Sequence, residues 1–270
     1  MPRLALLAFV TTAVSISFIW LVAVYDTGLR NPRYLDGWLL FGFMFMQLVF
    51  HFRRKRRQWS LGTATLWMRA HIYFGFFSVA LFILHSDASL PDSLFEWMIW
   101  SAFVLVVLSG IVGVYLSIFI PRMLDKETGA VSFDGIPALR AQLALEANGL
   151  ARAALSETGS KAVSEVYAET LFYYFAAPAN LLAHLGNSRL PLKAMLGKID
   201  SMTHFLDETG QERLHSLRGM VIKKDKLDHQ FALQGMLKAW LFVHVPATYA
   251  LVIFTILHVI VVHAFSSGAG

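Results

Sequence analysis

The chain has 270 residues, 56% of them hydrophobic, with a mean hydropathy of +0.55, several times more apolar sequence than one soluble core needs. Its 23 Lys and Arg against 18 Asp and Glu give a formal charge of +5, yet the basic residues cluster by segment rather than along a groove or stripe, so no nucleic-acid partner is expected. There is no cysteine, which excludes a disulfide framework and a Cys-ligated iron–sulfur cluster.

Apolar runs fall at 4–25, 37–52, 66–85, 94–120 and 239–265, and each reads as a membrane-spanning helix. The predicted fold is an all-α polytopic membrane helix bundle with five transmembrane helices. Residues 1–121 hold helices one to four, 122–238 form a helical insert, and 239–270 hold helix five with a short tail. The first run has no ionisable residue after Arg3, is longer than the apolar core of a signal peptide, and is followed by no small-residue cleavage site before Tyr25; it reads as a retained anchor. The second, GWLLFGFMFMQLVFHF, is rich in Phe and Met, which suits packing around an irregular flat object or facing lipid. His51 closes it and reads as an interfacial residue.

Arg53, Arg54, Lys55, Arg56 and Arg57 fill the next connection, whereas neither 86–93 nor the chain after Lys238 contains Lys or Arg. The positive-inside rule then predicts an integral multi-pass protein of the bacterial cytoplasmic (inner) membrane, with the N-terminus and insert cytoplasmic and the C-terminus outside. Arg30 and Arg33 depart from that pattern.

The third run contains HIYFGFFSVALFILH, which separates His71 from His85 by fourteen residues. On a helix that is about 21 Å, and about 40° short of four full turns, so both imidazoles leave one face at two depths. Arg69 precedes His71 by two residues, and Gly75 follows it by one turn. Ser93-Leu-Phe-Glu96 is a capping box that starts the fourth run, which Pro121 and Arg122 are expected to end. Its Gly110 and Gly113 face either a cofactor or a neighbouring helix.

The insert shows helical periodicity at 137–157, 161–176, 192–206 and 209–236, with Thr209 and Glu212 forming a second capping box. It has no strand-like alternation, no Gly-x-Gly-x-x-Gly turn and no P-loop. Arg213, Arg218, Lys223, Lys224 and Asp225 read as a solvated helix face. His184, His204, His215 and His229 show neither H-E-x-x-H nor a compact ligand cluster, and G-x-S-x-G is absent, so hydrolase and zinc-enzyme readings have no support.

In the fifth run His244 and His258 repeat the fourteen-residue spacing, and both His85 and His258 close an Ile-Leu-His triplet. His215 and His229 share the spacing but lie among Lys, Arg and Asp, and that match is read as coincidence. Depth separates the other two pairs: His71 lies just inside its run, and His244 lies six residues after Lys238. Ionisable groups at membrane depth are costly and usually functional. The competing reading is four core histidines in interhelical hydrogen bonds. Two helices running the same way, with histidines near both faces, can clamp two flat cofactors stacked across a bilayer. Without cysteine there is no C-x-x-C-H attachment, and a haem would be held noncovalently through histidine.

Paired H-x13-H helices in the third and fifth runs resemble the diheme cytochrome b membrane domain of ferric reductases and NADPH oxidases, and more loosely the respiratory cytochromes b. The resemblance covers runs two to five and skips the insert. It implies two haem b groups, one between His71 and His244 on the inner side and one between His85 and His258 on the outer side. Arg69 would then pair a propionate, and Gly75 would let a porphyrin approach the backbone. In those reductases a flavin and nicotinamide module follows, which is not expected here, and the insert is foreign to their pattern; NAD(P)H oxidation by this chain alone is not expected. The expected role is the electron-transfer subunit of an oxidoreductase complex. It would move electrons between a quinol or a cytoplasmic dehydrogenase and an acceptor at the outer face, with lipid, quinone and a redox protein as partners. Two alternatives are a haem-free membrane scaffold and a proton or metal transporter using the histidines; against the transporter, the runs lack acidic residues.

Overall fold

A computed structural model describes residue 16 and residues 32–55, 63–124, 131–157 and 161–266. The apolar run at 4–25, apart from Ile16, lies outside the described residues, as do Arg56 and Arg57. The described residues are all-helical, with no strand among them. They form α1 (Pro32–Lys55), α2 (Ala64–His85), α3 (Leu94–Met123), α4 (Ile136–Glu157), α5 (Lys161–Val166), α6 (Phe172–Ala176), α7 (Leu181–Leu185), α8 (Leu190–Met202) and α9 (Glu208–Ser266). Single 3-10 turns precede α4 and follow α8, and a π-helical turn, Tyr167–Leu171, joins α5 to α6.

Local chemistry explains several boundaries. Thr63 Oγ1 accepts from Leu66 N at 3.3 Å and caps α2. The capping box of α3 closes in both directions: Ser93 Oγ accepts from Glu96 N at 3.2 Å, and Glu96 Oε2 accepts from Ser93 N at 3.4 Å. Pro121 does not end α3, which continues to Met123. The second predicted box does not form. Asp207 Oδ1 accepts from Gly210 N at 3.0 Å, so the carboxylate two residues earlier caps α9 and leaves Thr209 in the first turn. The stretch 209–236 and the apolar run 239–265 belong to one helix, which passes through Pro246.

The α2 segment Thr65–His85, Leu94–Met123 of α3, and Glu208–Ala264 within α9 are long and apolar enough to cross a membrane, as an integral membrane protein requires; Leu35–Leu48 in α1 is a shorter apolar stretch. The 21 residues of the first extend about 32 Å, matching a hydrocarbon core of about 30 Å.

The chain divides into two compact units, Met1–Tyr115 with Leu241–Gly270, and Leu116–Trp240. In the first unit, Leu40 and Met44 of α1, Phe77 and Leu81 of α2, Phe103 of α3 and Leu251 of α9 form the core. Phe82 stacks on Phe103 at 4.0 Å between ring centroids. Phe76, Ile83, Leu108, Ile111, Ile253 and Ile260 are exposed, an apolar exterior suited to hydrocarbon rather than water.

The second unit packs Ala147, Ala151 and Ala154 of α4 against Val163, Tyr167, Leu171 and Phe175, and against Leu214, Leu217 and Val221 of α9. The small α4 residues recur at helical spacing, which lets the larger side chains seat against that face. Within this unit the solvated-face reading of Lys224 and Asp225 fails: Lys224 is fully buried and Asp225 half-buried. Lys224 Nζ hydrogen-bonds to Asp228 Oδ2 and donates to the Ala177 carbonyl at 2.9 Å. Asp228 also accepts from Ala179 N at 3.0 Å and pairs with Arg140 Nε at 3.1 Å. The short helix α7, absent from the sequence expectation, and the turn before it cover these charges; Asn180 makes that turn at φ 56°.

Candidate functional site

The candidate site lies in the first unit, where α2 and α9 bring four histidines together in two pairs. The rings of His71 and His244 have centroids 6.5 Å apart, and those of His85 and His258 are 6.3 Å apart. Their planes cross at 82° and 87°. The fourteen-residue spacing is the cause: on both helices it returns each imidazole to the same face at a second depth. All four rings are partly buried.

Each pair also carries an anchor that the sequence reading missed. His85 Nδ1 lies 2.8 Å from Asp36 Oδ1, and Asp36 is only 3% exposed. With the Asp36 carboxyl oxygen as acceptor, the His85 hydrogen lies on Nδ1, which leaves Nε2 to meet another partner. His244 Nδ1 lies 2.8 Å from Ser109 Oγ, which donates its own hydrogen to the Val106 carbonyl at 3.0 Å. Ser109 therefore accepts from His244, which sets the same tautomer. Metal-ligating histidines are held in this way at the nitrogen away from the metal.

The expectation that the apolar runs lack acidic residues does not hold: Glu96 lies inside the run at 94–120, and Asp36 joins it in the fold. It stands one residue before the run at 37–52, but α1 begins at Pro32 and carries it into the fold. The signal was present: α1 and α2 run antiparallel, as the contacts Asp36–His85 and Gln47–Ser78 show, so the residue opening one run meets the residue closing the next. Ser109 had no such signal.

Glycine makes room for one ring. A side chain at Gly37 would put its Cβ 2.9 Å from His85 Cε1, too close to fit without moving the imidazole, whereas at Gly110 it would meet His244 Cε1 at 3.8 Å. Gly110 thus faces an imidazole. Gly75 has Gln47 Oε1 of α1 as the nearest atom to such a Cβ, at 3.7 Å. Arg69 is exposed. Gly113 is buried within α3.

A cavity of about 390 Å³ opens beside the second pair, lined among others by His85, His258, Phe82, Phe103, Trp38 and Trp100. Its size and largely apolar wall are those of a site for a cofactor or small molecule. Asp92 and Glu96 also line it. Glu96 is committed to its cap, accepting from Asp92 N and Ser93 N.

The pairs fit axial ligation of a haem. With a metal–imidazole bond of about 2 Å and a ring radius of about 1.2 Å, two imidazoles on opposite sides of one metal place their centroids about 6.4 Å apart. Both observed separations are within 0.1 Å of that, and rotation about the bonds leaves the ring planes free to cross. Among the described residues no group of three or more His, Asp and Glu could hold a bare metal ion. A porphyrin supplies four equatorial nitrogens itself, so two protein ligands suffice.

Of the histidines outside this site, His184 is buried in the second unit, 5.6 Å between centroids from His229 and 3.6 Å from Asp225. Burial lowers its pKa from 6.5, which makes it a neutral ring within the buried cluster. His215 is exposed, so its fourteen-residue spacing from His229 builds no pair like the other two. Comparison with protein-family models, with curated proteins and with solved structures gives no match.

Proposed function

We propose that the chain is a diheme b-type cytochrome subunit of a membrane oxidoreductase, similar in plan to the membrane domain of ferric reductases and NADPH oxidases. The observation that carries this reading is the pair of imidazole separations, 6.5 and 6.3 Å, at two depths on the same two helices. His71 and His244 would hold one haem b and His85 and His258 the other, and when bound these groups supply one-electron ferric/ferrous chemistry at two levels of the bilayer. The chain's own residues do the rest. Ser109 and Asp36 fix ligand tautomers, Gly37 admits the His85 ring, and the apolar core excludes water. Exposed Arg69, two residues before His71, is available to a propionate at the membrane surface.

The full reading has five transmembrane helices, with the N-terminus and the helical insert in the cytoplasm and the C-terminus outside the inner membrane. It is supported by the basic stretch at 53–57 and the absence of Lys and Arg after Lys238. The His71–His244 pair is then the inner one. A quinol or a cytoplasmic dehydrogenase delivers electrons on that side, and an acceptor takes them at the outer face, where the cavity beside His85 and His258 lies.

The test is a transfer assay in oriented vesicles containing the purified chain. An impermeant oxidant at the outer face should reoxidise both haems in the wild type. With His258→Ala it should no longer reoxidise the inner haem, while reduction from the cytoplasmic side survives. Unchanged reoxidation after loss of the outer haem would contradict a serial path.

A further inference from the structure

Building on that reading, we infer that Asp36 is a tuning residue that makes the haem at His85–His258 the lower-potential member of the pair. The two anchored ligands differ in one respect. His85 Nδ1 gives its hydrogen to a carboxylate at 2.8 Å, and that carboxylate is 3% exposed. His244 Nδ1 gives its hydrogen to a neutral hydroxyl at 2.8 Å, whose own hydrogen is committed to the Val106 carbonyl. Buried away from water, a carboxylate pulls the Nδ1 hydrogen toward itself and increases electron density on Nε2, the nitrogen left for iron. A more electron-rich axial nitrogen, with a negative charge behind it, favours the ferric over the ferrous ion. Hydrogen bonding to the axial ligand and burial are among the levers by which a protein sets such a potential.

Geometry keeps Asp36 in that role. Gly37, the next residue, is the position at which a Cβ would stand 2.9 Å from His85 Cε1. The Asp-Gly pair therefore presents a carboxylate to one edge of the ring and an open backbone to another, and the ring is held between them. At His244 the nearest glycine, Gly110, leaves 3.8 Å. A lower-potential haem beside the open cavity is the stronger reductant for an acceptor that reaches that end of the chain, and its reduction by the other haem is then an uphill step drawn forward by that acceptor.

Equilibrium redox titration of the purified, haem-loaded chain, followed in the α band with haem content measured in parallel, tests this. The wild type should titrate with two midpoints. Asp36→Asn should raise the lower midpoint and leave the other in place, and should shift the low-spin electron paramagnetic resonance signal of that haem alone. Asp36→Glu should keep the midpoint low. If Asp36→Asn fails to retain its haem, Ser109→Asp decides the matter by placing a carboxylate beside His244, which should lower the other midpoint. Two haems whose midpoints ignore both substitutions would overturn the inference and leave the electron-transfer reading standing. A wild-type chain without two haems would overturn both.

Discussion

Around Asp228, in the second unit, the buried charges answer one another: Lys224 and Arg140 meet its two carboxylate oxygens, and the backbone at Ala177 and Ala179 supplies further partners. Along α2 and α9, in the first unit, the rings of four histidines meet in two pairs, 6.5 and 6.3 Å between centroids, and one pair opens on a cavity. Both regions bury ionisable groups at a cost. The comparison teaches that burial by itself does not mark a functional site. A cluster whose charges are paired with one another holds the folded state together, whereas imidazoles that meet in pairs on two apolar helices are the groups we propose to bind a cofactor.

The largest expected effect breaks the histidine side of the contrast. His85→Ala should remove one haem and leave the His71–His244 site loaded, halving the haem-to-chain ratio, because iron that loses one of two axial imidazoles loses much of its anchorage. Loss of both haems from that single change would mean that the pairs are not separate sites. On the other side, Asp228→Ala should destabilise the second unit by about 3–5 kcal/mol, since it leaves Lys224 and Arg140 buried without their counter-charge. Replacing Lys224 and Asp228 together by Met and Leu should cost far less, and chemical denaturation followed by circular dichroism measures both. An equal loss in the double variant would show the ion pair contributing net stability rather than being merely satisfied.

Smaller effects sharpen the comparison. Gly37→Ala should cost about 1–3 kcal/mol through overpacking against the His85 ring. It should alter the spectrum of the His85–His258 haem only, and a change at both haems would point to a general loss of packing. Smallest is a pH effect in the second unit. Burial holds the His184 pKa below its ordinary 6.5, so the unfolded chain binds the proton more readily than the folded one. The stability this contributes is fully present above pH 6.5 and is lost as pH falls from there through the lowered value. Denaturation midpoints should decline over that acid range in the wild type and decline less in His184→Phe.

Much of the first unit was legible because its signals are local and periodic. The helices announce themselves as apolar runs, Ser93 and Glu96 as a capping box, and the histidines as a spacing that returns to one face of a helix. What escaped depends on contacts between segments distant in sequence. Asp36 stands at the edge of its run and gains meaning only when antiparallel packing brings it level with His85, and Ser109 is one hydroxyl in an apolar helix. In the second unit, Lys224 and Asp225 sit in a stretch so charged that solvation was the natural reading. Tyr174, Arg140 and the turn at Asn180 that leads into the unpredicted α7 close over them. Likewise Asp207, rather than Thr209, caps α9, because the backbone turns one residue pair earlier than the box pattern implies.

The central claim, that the two histidine pairs are haem sites, is tested most directly by a pyridine haemochrome assay on the purified full-length chain, with protein quantified by amino-acid analysis. The account predicts two noncovalent b haems per polypeptide, with low-spin optical spectra. No haem, or a single haem at full occupancy, would contradict it.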